Sequence, residues 1–327
     1  MGRRGGLLQE NIRSTPKTSR LRFRHFPMKI HLLPAFLLAA SCMAIATLQA
    51  ADTPPLKVLL VTGGCCHDYA KQKDILKAGL EARANVVVTQ IHTDDKSTHP
   101  PLPIYGNPDY AKGYDVVIHD ECASDISDPD VVLGVLKPHR DGIPGVNLHC
   151  AMHCYRIGNP NIATTELGTP HSYWFEYLGL QSSRHDQQQP ISVHYLDKDS
   201  PITKGFADWT TINEEHYNNV KVFDTAHPLA QGSQTVHIKK KADGTPFTSK
   251  DKADGTEKIE DRTDVWVDVW TNLYNGKTRV FSTTIGHNTE TVSDPRYLDL
   301  VTRGLLWATG HLNDDGTPAQ GYGSGGK

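Results

Sequence analysis

Apolar and polar positions along this chain fall into blocks that alternate between two periods. Residues 57–62 (KVLLVT) form a continuous apolar run closed by Gly63-Gly64, the pattern of a strand buried on both faces. A stretch with Ile75, Leu76 and Leu80 at helical spacing follows it. Residues 85–89 (NVVVT) and 114–119 (YDVVIH) repeat the strand pattern on either side of a loop carrying Pro100, Pro101, Pro103 and Pro108. A helical segment over 128–136 then leads through Gly142-Ile143-Pro144 to a fourth strand at 145–148. Strands alternating with helices imply right-handed crossovers. The expectation is a single-domain α/β fold with a doubly wound, mostly parallel sheet flanked by helices, of the flavodoxin-like kind.

The second half is less regular. Strand patterns occur at 191–195, 265–270 (VWVDVW) and 279–284 (RVFSTT), and a final amphipathic helix runs through Tyr297, Leu298, Leu300, Val301, Leu305 and Trp307. These are expected to complete the same sheet. Between them a polar insertion, 239–263, repeats Lys-Ala-Asp-Gly-Thr at 241–245 and 252–256, and its two Asp-Gly pairs predict an exposed hairpin. The domain is expected over 51–312, with a flexible Gly-rich tail over 313–327.

The first fifty residues read as targeting information. Lys29 and His31 precede an apolar run, 32–48, that closes on Leu48-Gln49-Ala50, the layout of a signal peptide over 28–50. Residues 1–27, rich in arginine and without apolar pattern, read as an over-extended start, with Met28 the initiator. A spanning helix needs about 20 apolar residues, and this run is interrupted by Pro34 and Ser41. The expectation is therefore an exported protein, periplasmic or secreted, with no integral membrane span after leader cleavage. A lipid anchor at Cys42, after Ala39-Ala40-Ser41, is the lesser alternative.

Composition adds one exclusion. With 38% hydrophobic and 22% charged residues and a net charge of −3, the chain has an ordinary globular balance and no basic stripe for nucleic acid. A homo-oligomer is compatible with it.

In an open parallel sheet, ligands bind at the carboxyl ends of the strands. Strand one there delivers Cys65, Cys66, His67 and Asp68; strand three His119, Asp120, Glu121 and Cys122; strand four His149, Cys150, His153 and Cys154. Imidazoles and thiols on one edge suit a transition metal such as zinc. The competing expectation for the thiols is a bridge from Cys65 or Cys66 to Cys150 or Cys154, since adjacent Cys65 and Cys66 are expected to point apart. Cys150 also invites comparison with a nucleophile elbow, although Leu148 and Met152 replace the small flanking residues.

The segments Thr62-Gly-Gly-Cys-Cys-His67-Asp68, Leu148-His149-Cys150-Ala151, Ser183-Arg184-His185, Glu214-Glu215-His216-Tyr217, Thr284-Ile-Gly286-His287 and Arg303-Gly304-Leu-Leu-Trp307, in this order, resemble the ThuA-like (trehalose utilisation) family. The resemblance implies a class I glutamine amidotransferase-like fold and a link to trehalose and other sugar utilisation. Position by position, it carries the family's polar residues onto His67, His149, His185, Glu215, Tyr217 and His287. Glutamine hydrolysis is not expected, because no Gly-flanked cysteine stands in place and His287-Asn288-Thr289-Glu290 has too long a spacing.

The expected function is an enzyme of carbohydrate or keto-sugar utilisation, an isomerase or hydrolase, using this crevice with a divalent metal such as zinc. His149, Glu215, His287 and Cys150 are the candidate catalytic residues. His67, Asp68, Tyr217 and Trp174 are the candidate substrate contacts, and His67, His149, His185 and His287 the candidate metal ligands. Two alternatives stand beside it. One is a non-catalytic sugar-binding or scaffold protein, with Tyr173, Trp174 or Trp270 stacking on a sugar ring; the other is a Cys150-dependent hydrolase.

Overall fold

The apolar blocks become strands wherever both sheet faces are covered. The computed structural model describes residues 53–164, 166–248 and 250–324, so the expected leader, Cys42 included, lies outside the described residues. In chain order the elements are β1 (Leu56–Gly64), α1 (Tyr69–Arg83), β2 (Val86–Thr93), β3 (Val116–Cys122), α2 (Pro129–Asp141), β4 (Gly145–Leu148), α3 (Tyr173–Leu178) and β5 (Leu180–His185). There follow β6 (Gln189–Tyr195), β7 (Trp209–Glu214), β8 (Tyr217–Val222), β9 (Ala226–Lys240), β10 (Lys258–Tyr274), β11 (Thr278–Thr283), α4 (Thr289–Val292) and α5 (Pro295–Ala308). Both long capped helices start alike. Asp128 and Asp294 accept a hydrogen bond from the backbone two residues on, and Pro129 and Pro295 occupy the first turn. The α2 helix runs beyond the expected Leu136 to Asp141, where Gly142 (φ 116°) adopts the left-handed conformation that ends it.

One sheet carries the order β2-β1-β3-β4-β11-β10-β9-β6-β7, and β5 and β8 form a separate pair. The half from β2 to β11 is parallel. The half from β11 to β7 is antiparallel. The expectation of a mostly parallel sheet is thus corrected to a mixed one. The cause is local: Asn275 and Gly276, both at positive φ (51° and 67°), fold β10 back onto β11, and so tight a turn joins only antiparallel neighbours. Lys239 and Lys240 belong to β9, and residues 258–263 to β10, with Lys258 opposite Lys240, so the polar insertion is the far end of one long hairpin. The Asp243-Gly244 and Asp254-Gly255 turns lie within its connection, where Thr245 N and Thr256 N each donate to the preceding aspartate at 2.9 Å.

Helices cover both faces of the parallel half. Leu76, Leu80, Leu298 and Leu305 from α1 and α5 pack with Val58, Leu60 and Ile118 on one face. Val132, Leu136, Trp174 and Leu178 from α2 and α3 pack with Leu59, Val61 and Val117 on the other. The described residues form one unit, and no helix among them is long and apolar enough to cross a membrane. Residues 313–324 are not a free tail. Asn85 N donates to Tyr322 O and Asn85 Nδ2 to Gly321 O, both at 2.9 Å, and the Tyr322 ring packs 3.8 Å from that of His311. Asn85, at the edge where β2 begins, supplies donors that the returning chain satisfies.

Candidate functional site: an imidazole crevice at the strand ends

Three strand ends and one loop build the site. After β1, Gly63 (φ 128°) and Gly64 (φ 103°) turn the chain sharply, and a Cβ on Gly64 would stand 2.2 Å from the Cys122 carbonyl oxygen. Only glycine permits that approach, which delivers His67 to the edge. After β4 the chain enters a short 3-10 turn, His149–His153, whose first residue takes φ 40°. A non-glycine residue held at positive φ is costly, and such strain gathers at functional sites. After β11, residues 284–286 lead to His287, while Glu215 sits between β7 and β8.

His67, His149 and His287 each bring a ring nitrogen to within 4.8 Å of the other two. The backbone orients the rings. His149 Nδ1–H donates to the Thr284 carbonyl at 2.6 Å, so its neutral form leaves Nε2 as an acceptor facing the crevice. His67 Nδ1–H donates to the His287 carbonyl at 3.4 Å, an oxygen that also accepts from Gln72 Nε2 at 2.9 Å. The next element is Glu215, whose Oε2 lies 3.4 Å from His149 Nε2, 3.6 Å from His185 Nε2 and 3.1 Å from His287 Nδ1. The last contact lacks hydrogen-bond alignment, so the buried His287 Nδ1 stays unspent.

Charge follows from this packing. Burial, reinforced by the neighbouring His149 and His287, pushes His67 down to about 2, so its imidazole is neutral at ordinary pH. For Glu215 burial acts the other way, yet contacts from His149 and His287 and the charge of His149 and His185 hold its carboxyl well below the usual range. The site therefore offers neutral rings around a fixed carboxylate.

Tyr217 and His153 back the group. The Tyr217 hydroxyl lies 3.2 Å from His149 Nε2, and its ring stacks on His153 at 3.9 Å. His185 belongs to that stack, 5.6 Å from Tyr217, and meets Glu215 rather than the three-nitrogen group. Asp68 pairs with Lys71 at 2.8 Å and lines, with Gly64, Cys66, His67, Asp94 and Lys96, an open cleft of about 530 Å³ beside the imidazoles.

Several candidates lie elsewhere. Cys150 is 6% exposed and packs against Tyr69 and Cys122; a hydrogen bond from Cys122 and then burial push its thiol up, away from the nucleophilic thiolate. The strained elbow residue is His149, one position earlier. Trp174 is buried, its Nε1 donating to Ala151 O at 2.9 Å, and Trp270 is buried with its Nε1 on Leu178 O at 2.7 Å, so neither faces a ligand. Cys65 and Cys66 are bonded to each other, and Cys122, Cys150 and Cys154 are free, which replaces the expected cross-strand bridge. Cys66 at φ 80° is what lets neighbouring side chains turn toward one another. His119 and Glu121 point into the core, 2.8 Å apart, and His119 Nε2 meets His139 Nε2 at 3.1 Å, so they serve a buried network rather than the crevice.

Sequence reasoning missed Glu214. Its buried carboxylate accepts from His287 N at 2.8 Å and Asn288 N at 3.0 Å and so anchors the loop that presents His287. The signal was its place beside Glu215 at a strand end, but which of two adjacent carboxylates faces inward depends on register. His216 likewise turns away, to Asp268 at 3.2 Å.

Residues 57–308 match the family model described as ThuA, trehalose utilisation. No curated protein matches the chain. Among solved structures it is similar to a protein described as ThuA-like from Parabacteroides merdae, at 18% identity and TM-score 0.49, covering 84% of this chain and 99% of that one. A second, described as ThuA-like from Bacteroides uniformis, gives 16% and 0.48, covering 79% and 93%. A third, described as a GMP synthase protein from Thermoplasma acidophilum, gives 12% and 0.42, covering 78% and 96%.

Proposed function

The chain belongs to the ThuA family, and from that premise we propose that it is an exported enzyme of carbohydrate utilisation that acts on a keto-sugar through proton transfer at Glu215. In this reading a divalent ion, such as zinc, is held by His67, His149 and His287. The observation that carries it is the convergence of three neutral ring nitrogens and one ionised carboxylate beside an open polar cleft.

The donor set fits an ion. Ring nitrogens bound at about 2.0–2.1 Å around a tetrahedral centre stand about 3.3 Å apart, so the observed grouping within 4.8 Å needs only a modest inward shift. The unspent His287 Nδ1 is a buried polar atom that such a ligand would satisfy. When bound, the ion supplies Lewis acidity toward a carbonyl or a water. The remaining work falls to the chain. The Thr284 and His287 carbonyls hold two rings in their tautomers, as outer partners of metal-bound histidines do. Glu215, kept ionised, takes a proton from a carbon beside the ketone, or from water, and returns it after the substrate rearranges. Tyr217, freed from His149 Nε2, donates to a substrate oxygen, while Asp68 and Lys96 in the cleft offer hydrogen bonds to sugar hydroxyls.

The test joins metal analysis of the purified protein with turnover of keto-sugars. One equivalent of ion is expected, with turnover reduced at least about 100-fold in His149→Ala and His287→Ala. Unchanged turnover in both variants removes the imidazoles from catalysis. Calorimetric sugar binding without turnover in the wild type would instead favour the non-catalytic binding protein.

A further inference from the structure

The cysteines gather beside the imidazoles and have no part in the reading above. Cys65 and Cys66 are joined, and Cys122, on the neighbouring strand, sets its Sγ 3.5 Å from Cys65 Sγ. Register produces the encounter: Gly64 is paired with Cys122 across β1 and β3, and the missing Cβ lets the turn settle onto that residue. The three Sγ atoms all lie within 4.8 Å of one another. Around an ion with metal–sulfur bonds of about 2.3 Å, tetrahedral geometry separates two sulfurs by about 3.8 Å, so the Cys65–Cys122 contact already has nearly the spacing of a ligand edge.

A second observation points to the same spot. Tyr69 is 4% exposed and packs against Cys65, Cys122 and Cys150, yet its hydroxyl has no hydrogen-bond partner among the described residues. A buried hydroxyl left unsatisfied among thiols marks a place where a ligand or its water completes the set. Access exists as well, because Cys66 is exposed and lines the open cleft.

We propose that Cys65, Cys66 and Cys122 form a thiophilic metal site, created when the Cys65–Cys66 bond is reduced, that takes a soft d¹⁰ ion such as Zn(II) or Cd(II). A dithiol reductant delivers two electrons: the Cys65–Cys66 bond breaks, each sulfur gains a proton, and the dithiol closes to its own disulfide. The three thiols then give up their protons to solvent as three metal–sulfur bonds form. In the oxidised chain two of the three ligands are spent on each other, so the site is absent. The proposal is independent of the imidazole reading, since thiolate and nitrogen ligands are spectroscopically distinct.

The protein is reduced with dithiothreitol under anaerobic conditions, desalted, and titrated with cadmium while the near-ultraviolet thiolate-to-cadmium charge-transfer band is followed. One equivalent is expected to saturate the band in reduced protein, with no band in oxidised protein. Cys122→Ser is expected to weaken binding at least about 100-fold, a loss no smaller than that for removing an outer-shell partner. Because Cys122 is buried, Cys66→Ser at the exposed position serves as the second variant. It should weaken binding similarly and make the residual band independent of reductant. Equal bands in oxidised and reduced protein, bands unaffected by both variants, or cadmium uptake without a charge-transfer band would each overturn the proposal; the last would assign the ion to the imidazoles.

Discussion

Acid weakens this fold in a window that His139 helps to set. Its ring is fully buried, with Nδ1 donating to the Ile143 carbonyl at 2.8 Å and Nε2 standing 3.1 Å from His119 Nε2. That nitrogen pair has room for one hydrogen, so protonating His139 as well as His119 sets two N–H groups against each other. Burial first, and then the charge of His119, push His139 from 6.5 down to about 3, against the pull of the Ile143 carbonyl. Because the folded value lies below the unfolded one, the unfolded chain binds the extra proton between them. The stabilisation is complete above about pH 6.5 and is lost as the pH falls toward about 3. At 1.36 kcal/mol per pH unit, the His139 contribution between pH 7 and pH 4.5 is about 2.5 kcal/mol. For a chain of this size that is a fall in Tm of about 5–10 °C. Urea and thermal unfolding of wild type and His139→Gln at several pH values measure it. His67 and His153 are also held down by burial, so the readout is the difference between the two pH slopes. The variant is expected to be less stable at pH 7 but to lose about 2.5 kcal/mol less on acidification. Identical slopes would refute the reasoning.

Three further outcomes follow from the packing around the site. Glu214→Ala strands the His287 and Asn288 N–H groups and should cost about 2–4 kcal/mol in urea unfolding and about 10–100-fold in zinc affinity; unchanged affinity would show that His287 needs no anchor. Trp174→Ala should cost about 3–5 kcal/mol, whereas Trp174→Phe should leave keto-sugar affinity unchanged; a weakened affinity would return Trp174 to the substrate site. Cys122, Cys150 and Cys154 should resist iodoacetamide in the native protein and react in urea, as read by mass spectrometry, and rapid native labelling of Cys150 with loss of turnover would revive the thiol hydrolase.

Local patterns determined the parallel half of this protein. Apolar runs of six or fewer residues, Asp-Pro helix starts and Gly-Gly or Gly-x-Pro turns act within a few positions, so β1, β3, β4, α2 and α5, and the histidines at their ends, were legible in the sequence. Tertiary structure decided which way those side chains turn. Moving one position along a strand end exchanges inside for outside, and with it His149 for Cys150 at the elbow, Glu215 for Glu214 in the crevice and His67 for His119 among the exposed imidazoles. Pairings between distant segments settled the rest: the Asn275-Gly276 hairpin set half of the sheet antiparallel, and Cys122 was brought to a disulfide between neighbours that spacing alone had assigned to separate partners.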